Sequence, residues 1–102
     1  MNQKKLILVH ELCQHYEMEI SFFEQVEEYG LVNVEMISDE KYIHRKQLNK
    51  MEKILRFHRE LEVNLEGIDV IFNLMRRIQV LEKELKEKQT QLGLFENLDS
   101  NP

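Results

Sequence analysis

Few residues of this chain stand at spacings that suit chemistry. His10 and Cys13 lie three apart, with His15 two further on, which on a helix would place an imidazole and a thiol on one face. Such a pair could begin a zinc site, but a metal needs three or four convergent ligands. Cys13 is the single cysteine, and His44 and His58 fall in other segments, so the grouping reads as core packing, with no metal. Among the carboxylates no isolated pair sits in an apolar setting of the kind that tunes one acid against one base. Gly67 has no glycine companions to make a phosphate-cradling loop, and no Ser/His/Asp grouping has motif support. The expectation is a protein with no catalysis, cofactor or small-molecule ligand.

The residues suited to recognition are the charged ones. Residues 1–40 carry two basic side chains against nine acidic ones, and residues 41–60 carry seven basic against two acidic. The chain therefore has an acidic head followed by a short basic segment. Glu19, Glu24, Glu27 and Glu28 surround the adjacent Phe22 and Phe23, and no Lys or Arg occurs between Leu6 and Glu40. Phe23, with Val26 three residues on, fits a buried face. Phe22 is then partly exposed beside carboxylates, either as an interface anchor or as a flank covered by the wing or the N-terminal segment. Lys46, Lys50, Lys53, Arg56 and Arg59 recur at steps of three and four on the side away from Leu48, Met51 and Leu55. They make either a nucleic-acid face or a solvated face that balances the acidic head.

Elements must position these groups. A short strand or lead-in from Leu6 precedes a helix through Leu12 and Cys13 to Tyr16. Ser21-Phe22-Phe23-Glu24 has the form of a capping box, starting a second helix that runs to Tyr29, where Gly30 supplies a left-handed stop. The two make a helix-turn-helix. Val32, Val34 and Met36 alternate, Ser38-Asp39-Glu40-Lys41 turns, and Tyr42-Ile43 returns, predicting a two-stranded wing. A third helix covers 45–61. Asn64 is a cap for the next helix, with Val63 and Ile68 placed as a hydrophobic staple.

From there apolar residues recur in a heptad row: Ile71, Leu74, Ile78, Leu81, Leu85, a break at Lys88, then Leu92. Ile68, Ile71 and Leu74 are expected to fold back on the third helix. Ile78, Leu81, Leu85 and Leu92 lie beyond its reach and are expected to join two protomers into a homodimer. The predicted organisation is a head at 6–62, a long helix for core completion and dimerisation at 63–92, and a flexible tail at 93–102. With 32% charged residues, three glycines and one proline, the composition favours helices. No apolar run reaches membrane-spanning length and no leader is evident, so the chain reads as soluble and cytoplasmic.

This order of elements resembles the MerR-like winged helix-turn-helix architecture: mainly α, with a long C-terminal coiled-coil helix. Within it, the chain looks like the chaperone modulator CbpM family. The residues that carry the likeness are Leu12, Gly30-Leu31-Val32 and, above all, His58-Arg59-Glu60-Leu61. These run into Leu65, Gly67-Ile68, Leu74-Met75 and Ile78. The resemblance covers about residues 6–92, and its block from His58 to Ile78 is the more specific half. It implies a cytoplasmic protein that binds the J-domain of a DnaJ/CbpA-like co-chaperone and blocks engagement of DnaK. Glu19, Phe22, Glu24, Glu27 and Glu28 are the expected contacts, because the helix preceding the catalytic loop of J-domains is rich in Lys and Arg. A MerR-type DNA-binding transcriptional regulator is the alternative, disfavoured by the acidic second helix. An adaptor for an unrelated target is a third reading.

Overall fold

The computed structural model describes residues 5–100, with side chains through residue 93. Strand β1 (Leu6–Leu8) leads directly into helix α1 (Val9–His15), and a four-residue turn leads to α2 (Ile20–Glu28). Strands β2 (Glu35–Ile37) and β3 (Glu40–His44) form the wing. A 3-10 turn at Arg45–Gln47 precedes α3 (Leu48–Glu60), and α4 runs over Leu65–Ser100. The fold is mainly α, in the element order that the sequence reading predicts.

Two compact units divide the chain between Asp69 and Val70, inside α4. The first turn of that helix therefore belongs with the head, whereas the sequence reading places the division before the helix. The core of the head is apolar throughout. Phe23, Val26, Ile43, Met51, Ile54 and Ile68 are fully buried, with Leu12, Cys13, Met18, Leu31, Val32 and Leu55 around them.

The two helix ends that define the helix-turn-helix are closed alike. After α2, Gly30 takes φ +71°, its N–H donates to the Glu27 carbonyl and Leu31 N–H donates to the Val26 carbonyl. This is the Schellman closure expected of a glycine at that position. After α1 the same two bonds recur, Glu17 to Gln14 and Met18 to Cys13, but Glu17 occupies the left-handed position at φ +52°. A residue with a Cβ is disfavoured there.

The expected capping box is not formed. Helix α2 starts one residue before Ser21, with extended Glu19 as its N-cap and no side-chain cap, and Phe23 N–H donates to the Glu19 carbonyl. Ser21 thus lies inside the first turn, where its hydroxyl does not face the free N–H groups ahead of it. The cap of α4 is as read: Asn64 Oδ1 accepts from Gly67 N–H at 2.8 Å.

The wing differs in detail from its prediction. Val32 is buried before the strand begins, and the turn is two residues, Ser38 and Asp39, both at positive φ. Positive φ at both central residues matches the right-handed twist of a tight hairpin. The sheet has three strands in the order β1-β3-β2, with Ile7 opposite Ile43 and Met36 opposite Lys41. A two-residue clasp fixes its base. The Gln47 side-chain amide accepts from Asn33 N–H and donates to the Asn33 carbonyl, both at 2.8 Å.

In α4, Leu65, Ile68 and Phe72 are buried, whereas Leu74 is about half exposed. Leu74, expected to fold back on the third helix, does not lie on the buried stripe. That stripe passes through 65, 68 and 72, one residue and so about 100° of helix rotation away from the row through 71, 74 and 78. Gly93 does not end the helix, which continues to Ser100. The remaining tail residues, and the side chains from 94, lie outside the described residues.

Candidate partner-binding surface

Helix α2 turns Phe23 and Val26 into the core, and the other positions follow from its 3.6-residue period. Ile20, Glu24 and Glu27 form one stripe at i, i+4 and i+7. Glu28 lies beside it, toward the outward face. Phe22 lies on the opposite flank from Glu24, two residues and about 200° away. The five expected contact residues therefore do not make one patch. Glu24, Glu27 and Glu28 face the wing side and solvent, whereas Phe22 and Glu19 line a shallow pocket with Glu17, Met18, Leu55, His58 and Arg59.

On the α3 side Phe22 is half-buried, with its ring 4.6 Å from that of His58 at an interplanar angle of 34°. It is a covered flank, and the cover is α3 rather than the wing or the N-terminal segment. Arg59, one residue on, donates to the carbonyls of Tyr16 and Glu17, each at 2.8 Å. The Tyr16 hydroxyl donates to Glu52 Oε2 at 2.6 Å, and this bond, with desolvation and the carboxylate charge, pushes the phenol pKa up to about 12. The His58-Arg59 pair singled out in the sequence thus fixes the turn from which α2 projects.

On the wing side Lys41 Nζ bonds Glu27 Oε1 at 2.9 Å. The Lys41 ammonium pKa is raised chiefly by that hydrogen bond, opposed by desolvation and reinforced by the charges of Glu27 and Glu24. Glu27 is thus already engaged within the chain. The pairing was not legible in the sequence because Lys41 lies just past the acidic segment and meets Glu27 only once the wing folds back over α2. Glu19, Glu24 and Glu28 are exposed.

Cys13 is buried and desolvation pushes its thiol pKa up, away from the thiolate a metal would need. Among the described residues no three His, Cys, Asp or Glu side chains are grouped to hold a metal ion. Lys46, in the 3-10 turn before α3, and Lys53 and Arg56 on α3 are exposed, and Lys50 is half-buried. In the second unit Ile78, Leu81, Leu85 and Leu92 are each more than half exposed, as are Val70 and Val80. Among the described residues no helix is long and apolar enough to cross a membrane.

The family model of MerR HTH family regulatory proteins matches residues 7–89 of this chain, from β1 into the outer half of α4. The chain belongs to the MerR helix-turn-helix family. No match was found among curated proteins or among solved structures. As a MerR family member the protein places α2 where a recognition helix stands, yet its exposed charged residues there are all carboxylates, with neither Lys nor Arg. The family's architecture is retained while the side chains that suit a DNA backbone are missing from that helix.

Proposed function

We propose that this MerR-family protein is a protein-binding regulator rather than a DNA reader. It binds the J-domain of a DnaJ/CbpA-like co-chaperone and inhibits its engagement of DnaK. The observation that carries the reading is the exposed acidic surface of α2, Glu24 and Glu28 with Glu19 at its start. Affinity for duplex DNA comes largely from cations that release counterions from phosphates, and carboxylates at the groove-facing helix oppose it. The same carboxylates complement a Lys/Arg-rich helix, and such complementary fields speed and orient encounter. The mechanism is steric: the acidic head covers the co-chaperone surface that DnaK needs. The reading assigns no catalysis, cofactor or metal to the chain, places it in the cytoplasm, and has the row Ile78, Leu81, Leu85 and Leu92 joining two protomers.

Titration of the purified J-domain at low and physiological salt tests it. Binding that weakens with salt, and weakens about tenfold or more in Glu24→Lys/Glu28→Lys, is expected. Unchanged binding in that variant removes this face from the mechanism. A DNA-binding regulator is the second reading, favoured by exposed Lys46 just before α3 and exposed Lys53 and Arg56 on it. It requires a gel shift on genomic fragments that is lost steeply with salt.

A further inference from the structure

The hollow between the α1–α2 turn and α3 brings apolar, aromatic and acidic groups to one place. Met18 and Leu55, both buried, supply its apolar lining, and the Phe22 and His58 rings, 4.6 Å apart, line it as well. Glu17 and Glu19 bring two exposed carboxylates to it. Among the described residues neither of these side chains takes part in a hydrogen bond or an ion pair. Arg59 also lines the hollow, but its guanidinium is already committed. Its Nη2 donates to the carbonyls of Tyr16 and Glu17, where it answers the partial negative charge at the end of α1. The two carboxylates are left for a guest.

The lining selects the guest's chemistry. Unpaired carboxylates attract a cation, and the apolar and aromatic groups decide which cation. A lysine ammonium is compact and strongly hydrated, and gains little from ring surface. A guanidinium is planar and weakly hydrated, stacks on aromatic faces, and donates to carboxylates in a fork. Its methylene stem packs on apolar surface while the charged head stays at the rim. The hollow measures 290 Å³, just under the roughly 300–1,000 Å³ of pockets that enclose a whole ligand. That size suits a single side chain carried by a larger partner. We infer that this hollow receives an arginine side chain of a partner protein, with its stem on Met18 and Leu55, its guanidinium against the Phe22 and His58 rings, and Glu17 and Glu19 as its counter-charges. The inference rests on the protein-binding reading above. It adds a specificity site on the α3 flank of α2, apart from Glu24 and Glu28.

The probe is N-acetyl-argininamide, with N-acetyl-citrullinamide as its uncharged isostere. Amide chemical shifts of the full chain are followed at low salt as each is added. The arginine probe is expected to bind in the millimolar range, with shifts centred on residues 17–22 and 55–59. The citrulline probe is expected to bind at least about fivefold more weakly. Phe22→Leu keeps an apolar side chain at that half-buried position, and Glu17→Gln with Glu19→Gln keeps shape while removing charge. Each is expected to weaken the arginine probe about threefold or more. Glu35→Gln on the wing removes a charge outside the hollow and is expected to change binding less than about 1.5-fold. Equal binding of the two probes, shifts centred elsewhere, or losses no greater than that of Glu35→Gln overturns the hollow as an arginine site. Should Phe22→Leu fail to fold, the paired Glu17→Gln and Glu19→Gln variant decides alone. A parallel titration of a purified J-domain separates the two proposals. If the arginine probe occupies the hollow but the J-domain does not bind, the co-chaperone reading fails and the hollow stands. If the J-domain binds and these variants leave its affinity unchanged, the hollow fails as a partner site and the co-chaperone reading stands.

Discussion

The Arg59 guanidinium holds the carbonyl of Glu17, the residue that closes α1 in the left-handed conformation, and holds the Tyr16 carbonyl beside it. A cation at the last carbonyls of a helix is favoured, and here it also sets the angle at which α2 leaves the turn. Hydrogen bonds from a charged donor contribute about 1.5–3 kcal/mol when well enclosed. At this exposed site Arg59→Ala is expected to cost about 1–2 kcal/mol in urea unfolding. Glu17→Gly relieves the strained φ and is expected to stabilise by about 0.5–1 kcal/mol. A destabilised Glu17→Gly would show that the glutamate side chain matters more than its backbone.

Gly67 tests the start of α4. A Cβ there would stand 2.8 Å from Val63 Cγ1 and 3.2 Å from the capping Asn64 Oδ1. Alanine is favoured over glycine inside a helix by about 1 kcal/mol, yet the clash falls on a stiff β-branched side chain and on the cap itself. Gly67→Ala is expected to lower stability by about 1 kcal/mol net. Val63→Ala made in that background should recover most of the loss, and additivity in the double-mutant cycle would refute the contact.

The Tyr16–Glu52 bond predicts an alkaline signature. The folded phenol pKa is raised to about 12 from an ordinary value of 10.0, so the folded state holds this proton more tightly than the unfolded one. The associated stability is complete below pH 10 and is lost as pH rises from about 10 to about 12. In the absorbance titration of tyrosinate, the wild type minus Tyr16→Phe difference should appear near pH 12. A difference centred at 10 would mean that the bond is not held in solution.

The apolar row on α4 predicts self-association. Leu81→Asp with Leu85→Asp places two charges on a seam of this kind and should leave a monomer by analytical ultracentrifugation. The helical content of the head should be unchanged, since both positions are exposed in the single chain. A wild type that is monomeric at micromolar concentration would remove the row as a dimer contact.

Lys41 gives a kinetic prediction for the proposed co-chaperone reading. Half-exposed ion pairs contribute about 0–1 kcal/mol, so Lys41→Met should change stability little while releasing Glu27 into the acidic surface. Association with the J-domain at low salt is then expected to quicken by a few-fold, measured by stopped flow. A slower association would show that the wing's cation guides the partner.

Local chemistry carried much of the fold into the sequence. Gly30 closes α2 because a left-handed position is cheapest without a Cβ, Asn64 caps α4 because its oxygen reaches the third N–H, and the spacing of Phe23 and Val26 names the buried face of α2. Each of these depends on residues within a few positions of one another. The acidic character of α2 was legible in the same way, as was its place in a helix-turn-helix. What acts across the fold was not. Helix α2 starts at Ile20 without the Ser21–Glu24 box, because Glu17 closes α1 in a Schellman turn and Arg59, forty-two positions away, holds that turn. Phe22 is covered by His58, and Glu27 is taken by Lys41, through contacts that exist only after α3 and the wing fold back on the helix. The buried stripe of α4 runs through Phe72 rather than through the row of Ile71 and Leu74, an offset of one residue from Ile71 that heptad spacing alone does not resolve. Sequence determined which segments are helical and that the head is acidic. Tertiary structure decided which carboxylates remain free, because pairing depends on distances that the order of residues does not contain.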